Sequence, residues 1–136
     1  MTSLGVYLNF PGTCEEALNF YKTAFAGADV TMQRFGETPV EVTDETRNLV
    51  MHAEFKAGDV HFMASDCPPG MEFKLGTNVT LSLQVGDADE QTRLFDTLSQ
   101  AGNVGMPLQE TFWGARFGML TDRFGVNWML NHELKK

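Results

Sequence analysis

The chain switches between two kinds of apolar spacing, and the switch occurs twice. Residues 6–27 (VYLNFPGTCEEALNFYKTAFAG) open with apolar residues at alternate positions, pass a glycine, and continue with apolar residues at helical spacing. Residues 81–102 (LSLQVGDADEQTRLFDTLSQAG) repeat the arrangement. Period-two alternation predicts a half-buried strand, and recurrence at three and four predicts a helix with one apolar face. That face is Ala17, Leu18, Tyr21, Ala24 and Phe25 in the first segment, and Leu94, Phe95, Leu98 and Ala101 in the second. Thr13 with Glu16, and Asp87 with Glu90, have the spacing of an N-terminal capping box or its Asp equivalent. Gly27 and Gly102 predict left-handed helix stops. The repeat aligns Gly12 with Gly86, an offset of a little over half the chain.

After each helix the pattern is strand-like. In the first half, strands are predicted near 29–35, 48–56 and 60–66, after an opening strand at 5–10. In the second half they are predicted near 103–109, 114–121 and 126–132, after one at 78–85. Lys56-Ala57-Gly58-Asp59 predicts a tight hairpin turn. Residues 36–47 read as a polar loop, and 67–77, with Pro68-Pro69-Gly70, as a linker. The 136 residues thus predict one α+β domain of two βαβββ modules, about 1–67 and about 77–136. One helix covers only one face of a four-stranded sheet. Two modules set edge to edge would form a curved sheet with helices outside and a hollow inside, the expected ligand site.

Two strings carry a resemblance: YLNFPGTCEEALNFYKTAF and FWGARFGMLTDRFGVNWMLN, the latter with Phe-Trp-Gly, Asp-x-Phe-Gly and Trp-x-x-Asn elements. They are similar to the PhnB-like proteins of the vicinal oxygen chelate (glyoxalase, bleomycin-resistance and extradiol-dioxygenase) superfamily, over essentially the whole chain. The resemblance implies paired βαβββ modules and a homodimer, without implying one activity. Superfamily members that do chemistry hold a divalent metal with His, Gln or Glu at the start of each module's first strand and near the end of its last. The corresponding positions here are near Val6 or Tyr7, Met63 to Ser65, Thr80, and Trp128 or Met129, and none carries a His or a carboxylate. Thioether, indole and methyl groups do not hold such a metal, so no metal and no cofactor are expected. Related sequences are labelled demethylubiquinone methyltransferases, and no Gly-rich nucleotide loop accompanies that label here.

The net charge of −8 argues against a nucleic-acid partner, whose phosphate backbone the chain would repel. No apolar run is long enough to span a bilayer, so no membrane-spanning helix is expected. Met1 to Phe10 lacks the basic flank and apolar stretch of a signal peptide, and a cytoplasmic location is expected. Cys14 and Cys67 show no metal-type spacing and are expected to be reduced thiols. Cys14 falls in the first turn of the predicted helix, but its neighbours Glu15 and Glu16 offer no basic partner to activate it.

Strand parity supplies the candidate site. Met51, Ala53 and Phe55 should face the first helix, leaving His52, Glu54 and Lys56 on the opposite face with His61, Met63 and Ser65. In the second half Val79, Leu81, Leu83 and Val85 should face the helix, leaving Thr80, Ser82 and Gln84 opposite, with Asn127, Met129 and Asn131. The expected ligand contacts are His52, Glu54 and His61, with Trp113 and Phe117 as an aromatic wall and Arg116 as a charged contact at its rim. The expected function is binding of a small organic molecule by a homodimer without a metal, with no catalytic residue assigned. The alternative is a divalent-metal-dependent lyase, isomerase or dioxygenase using a His52/Glu54/His61 cluster. As a simple cross-strand ion pair, the same residues would contribute about 0.2–1 kcal/mol.

Overall fold

The computed structural model describes residues 1–68 and 70–134. The chain divides into two compact units, Met1–Phe73 and Lys74–Lys136. The division falls inside the expected linker, whose Pro69 lies outside the described residues.

The first unit runs β1 (Tyr7–Phe10), α1 (Cys14–Ala24), β2 (Asp29–Arg34), β3 (Val50–Ala57) and β4 (Val60–Asp66). The second runs β5 (Leu81–Gln84), α2 (Ala88–Leu98), β6 (Asn103–Glu110), β7 (Ala115–Thr121) and β8 (Asn127–Glu133). The two helices have 11 residues each, and their starts, Cys14 and Ala88, keep the spacing of Gly12 and Gly86 in the sequence repeat. Each unit is one four-stranded mixed sheet, in the order β1-β4-β3-β2 or β5-β8-β7-β6. The first and last strands of each unit pair in parallel, and the other neighbours pair antiparallel. This is an α+β fold of two βαβββ units.

Helix α1 buries Ala17, Leu18, Tyr21 and Ala24, the predicted stripe, against Phe55 and Phe62 of its sheet. Phe55 and Phe62 are register partners with stacked rings 4.8 Å apart, and Tyr21 meets both edge-on. Burial of such rings is worth about 1.5–3 kcal/mol each. The hairpin between β3 and β4 closes through Gly58-Asp59, with Gly58 at φ +59.

Three local expectations are corrected. Thr13 makes no side-chain cap on α1; instead the Cys14 amide donates to Asp66 Oδ1 at 2.8 Å. Asp66 comes from the end of β4, and its Oδ2 also accepts from the Val50 amide at 2.8 Å. A buried carboxylate delivered by the sheet therefore does what a local hydroxyl was expected to do, whereas Asp87 caps α2 as predicted, accepting from the Glu90 amide at 2.9 Å. Gly102 is not the left-handed residue after α2; Ala101 is, at φ +58. Gly102 is required for closeness, since a Cβ there would collide with the Thr121 carbonyl oxygen and come within 3.0 Å of the Asp122 Cα. Val79 precedes β5 and is 65% exposed, so it does not face the helix.

Candidate functional site

Register turns parity into a map of the helix-free face of the first sheet. One row across the strands is Thr31–Glu54–Met63–Tyr7. Beside it lie a row with Asp29, Lys56 and His61 and a row with Gln33, His52, Ser65 and Asn9. His52, Glu54 and His61 thus share a face, as expected. They do not share a point. Lys56 is the register partner of His61, so His52 lies four positions further along β3. At about 3.3 Å per residue that is roughly 13 Å, too far for one ion.

Each of the three has its own partner. The Tyr7 hydroxyl and His52 Nδ1 stand 3.2 Å apart, reaching over β4, with ring centroids 5.8 Å apart. Glu54 Oε1 lies 3.8 Å from His61 Nε2, and both side chains are well exposed, so this pair contributes little to stability. Among the described residues no group of three or more His, Cys, Asp or Glu could hold a metal ion. The His52/Glu54/His61 metal reading is therefore corrected. At the positions where the resemblance implies a metal, the first unit has Tyr7 and its register partner Met63, and the second has Thr80 and Met129. Phenol and thioethers do not form the imidazole and carboxylate set such a metal takes.

The second sheet's helix-free face is chemically different. One row is Met106–Met119–Met129–Ser82, and the next is Gln109–Phe117–Asn131–Gln84. On the other side of the methionines, Asn103, Thr121 and Asn127 align. No residue of these rows is charged; Glu133 comes one step later, opposite Ala115. Asn131 Nδ2 donates to Gln84 Oε1 at 2.9 Å, and Thr121 Oγ1 donates to Asn127 Oδ1 at 2.8 Å. Trp113, 57% exposed at the tip of the β6–β7 hairpin, packs edge-on to Phe117 with centroids 6.1 Å apart. Gly114 at φ +85 makes the tight turn that leaves Trp113 and Phe112 at the tip.

Arg116 is placed elsewhere than expected. It shares parity with Gly118 and Leu120, on the side facing α2. Its Nη1 donates to the Ala88 carbonyl at 3.1 Å and to Gln91 Oε1 at 3.2 Å. Gln91, fully buried, in turn donates to the carbonyls of Arg116 and Leu130. The guanidinium fastens helix to sheet and does not stand at the rim of the aromatic wall.

The Asp-x-Phe-Gly and Trp-x-x-Asn elements are structural in their first members. Asp122 Oδ1 accepts from the amides of Phe124 and Val126, and Oδ2 accepts from Trp128 Nε1 at 2.8 Å. Cys14 is buried beside Asp66 and Glu15, and burial with those charges pushes its thiol up to about 12. That is the opposite of an activated nucleophile. An open cleft of about 480 Å³ at Gln84, Gly86 and His132, and one of about 240 Å³ at Leu49, Cys67 and Met71, include none of the expected site residues.

The two βαβββ units have the vicinal oxygen chelate fold. The same fold occurs in a glyoxalase/bleomycin resistance protein/dioxygenase from Nocardioides, at 17% identity, TM-score 0.59, and coverage of 99% of this chain and 86% of that one. A more similar structure is protein PA1353 from Pseudomonas aeruginosa, at 40% identity and TM-score 0.85, covering 98% and 100% of the two chains. Another is a putative 3-demethylubiquinone-9 3-methyltransferase, PhnB protein, from Bacillus cereus, at 28% identity and TM-score 0.80, covering 96% and 99%. Protein YjdN of Escherichia coli K12 is 33% identical across 94% of this chain and 93% of its own length. The family model described as 3-demethylubiquinone-9 3-methyltransferase matches residues 2–131. The chain belongs to that PhnB-like family. Among the described residues no helix is long and apolar enough to cross a membrane.

Proposed function

We propose that this protein binds a small polar organic molecule on the helix-free face of its first sheet, through side chains alone and without a metal. The observation that carries the reading is the Tyr7–His52 hydrogen bond, set among Gln33, Ser65 and Asn9. A sheet face that met only water would carry mainly Lys and Glu, and a core would carry none of these groups. Uncharged donors and acceptors next to Met63 suit a ligand that must be partly desolvated and oriented. Glu54 and His61 extend the site toward a cationic substituent, in keeping with the net charge of −8. Trp113 belongs to the second unit's face, and Arg116, held by α2, is left out of the proposed contacts.

A thermal-shift screen of small metabolites and cationic drugs tests the reading. A stabilising compound should lose its effect in His52→Ala while the variant stays folded, and an unchanged shift would remove the site from this face. We further propose a homodimer, because Phe112 and Val79 are large apolar side chains left exposed. Light scattering after size exclusion should give about twice 15.1 kDa.

A further inference from the structure

We infer that the outer edge of β2 is a protein-interaction edge, shaped for an extended cationic peptide segment laid beside it as a fifth strand. Among the described residues β2 has a strand, β3, on one side only, and the backbone groups of Asp29–Gln33 that point away from β3 meet no other backbone. An open edge of this kind is a template for another chain, and proteins blunt it with proline, lysine or bulges. The repeat-equivalent edge, β6, is blunted in that way, with Pro107 inside it and two register shifts against β7. β2 has no proline and no lysine, and its one register shift falls at the far end, between Gln33 and Arg34. Just there Glu37 Oε1 accepts from the Arg34 amide at 2.9 Å, so the open stretch runs from Asp29 to Gln33.

Charge and side-chain alternation select the occupant. Residues 1–73 hold 11 of the 18 acidic side chains and 4 of the 10 basic ones, so the acidity is concentrated in the unit that leaves this edge open. Of those four bases, Arg34 is paired with Glu15 and Arg47 with Asp44. Asp29 and Glu37, both exposed, stand at the two ends of the edge, and Glu54 is the register partner of Thr31 between them. Lys56, the register partner of Asp29, leaves the acids in excess. An acidic segment would be repelled along this stretch and a basic one held. Val30 and Met32, half-buried, lie opposite Phe55 and Ala53 on the side covered by α1, whereas Asp29, Thr31 and Gln33 lie on the helix-free side. An added strand alternates in the same way. The sequence that fits sets Lys or Arg on the side of Asp29 and aliphatic residues beside Val30 and Met32.

The test uses the acetylated and amidated peptide Lys-Val-Lys-Val-Lys as probe. Its counterparts are Glu-Val-Glu-Val-Glu and the Lys peptide N-methylated at every residue, which keeps the charges and lacks the backbone donors. The full chain, labelled with 15N, is titrated with each. The Lys peptide should shift the amide signals of residues 29–33, slow hydrogen exchange at those that point outward, and bind about tenfold more tightly than either counterpart. Added salt should weaken it, since the charges involved are exposed. Asp29→Asn combined with Glu37→Gln, which keeps an oxygen acceptor for the Arg34 amide, should weaken it about fivefold, roughly twofold for each exposed charge. His52→Ala should leave it unchanged. The peptide arms leave the protein unaltered, so they decide the question even where the double variant fails to fold. Equal binding of either counterpart overturns the proposal. So does loss of binding in His52→Ala, which would place the peptide on the helix-free face. Shifts at residues 29–33 that answer to dilution of the protein alone overturn it as well, because a second copy then occupies the edge.

Discussion

Gln91 Nε2 lies 2.8 Å from the Arg116 carbonyl and 3.2 Å from that of Leu130, so one buried amide ties α2 to both central strands of its sheet. At the equivalent position of the first unit, one repeat earlier, stands Ala17, which is fully buried and has no polar group to place. The same packing problem is solved once by a hydrogen-bonded side chain and once by a small apolar one. Removing the amide leaves two carbonyls and part of a guanidinium short of partners. Gln91→Ala should therefore destabilise the chain by about 2–4 kcal/mol, measured as a lower urea midpoint with unchanged slope. A loss below about 0.5 kcal/mol, less than one typical hydrogen bond, would show that water replaces the amide.

The loop after α2 makes a paired prediction. Ala101 holds a left-handed backbone at φ +58, and the glycine that could adopt it without strain is the next residue. Ala101→Gly should be neutral or stabilising by up to about 1 kcal/mol. Gly102→Ala should destabilise by more than that, because its Cβ meets the backbone of Thr121 and Asp122. Thermal unfolding of the two variants in parallel should lower Tm for Gly102→Ala and leave it unchanged or raised for Ala101→Gly.

Cys14 gives the pH dependence. Its thiol is raised from 9.0 to about 12 in the folded chain by burial first, then by Asp66 and Glu15. Above pH 9 the unfolded chain loses this proton while the folded chain keeps it, so stability falls as pH rises toward 12. The slope from this one group is on the order of 1.4 kcal/mol per pH unit. Cys14→Ala should show a flatter fall over that interval, whatever its stability at neutral pH. At mildly alkaline pH, iodoacetamide should label half-buried Cys67 and not Cys14 until the chain is denatured.

Tyr7→Phe separates binding from folding on the first face. The lost hydrogen bond is exposed, so the cost in stability should be under about 1 kcal/mol. Any compound found to stabilise through His52 should lose affinity in the same variant, by isothermal titration. Equal affinity would mean that the hydroxyl only orients the ring.

The elements were legible in the sequence because their causes are local: alternation in β3 and β4, the Ala17-Leu18-Tyr21 stripe, the Asp87 cap. What was not legible depends on partners far along the chain. Thr13 carries the right hydroxyl, but Asp66, at the far end of the unit's last strand, takes the helix amide, and no window around Thr13 contains that information. Parity placed His52, Glu54 and His61 on one face, and only register, fixed by Gly58-Asp59 as the two turn residues, shows how far apart they lie. Arg116 follows Trp113 by three residues, which sets it near the aromatic wall in sequence only. Just past a tight glycine turn, the strand has already aimed it at the helix.

In both units the opening strand pairs with the strand made last. Tyr7 finds Met63, and Leu81 finds Trp128. During synthesis, then, β1 and α1 leave the ribosome long before the strand that completes them, and α1 also waits for Asp66 to satisfy its first amide. At about 5–20 residues per second the first unit stays unclosed for several seconds. Over that interval Phe10, Tyr21 and Phe25, buried in the finished unit, have no complete sheet to cover them. Each unit closes as a whole when its final strand arrives, so a truncation that removes β8 should cost the second unit its sheet, not just one edge of it.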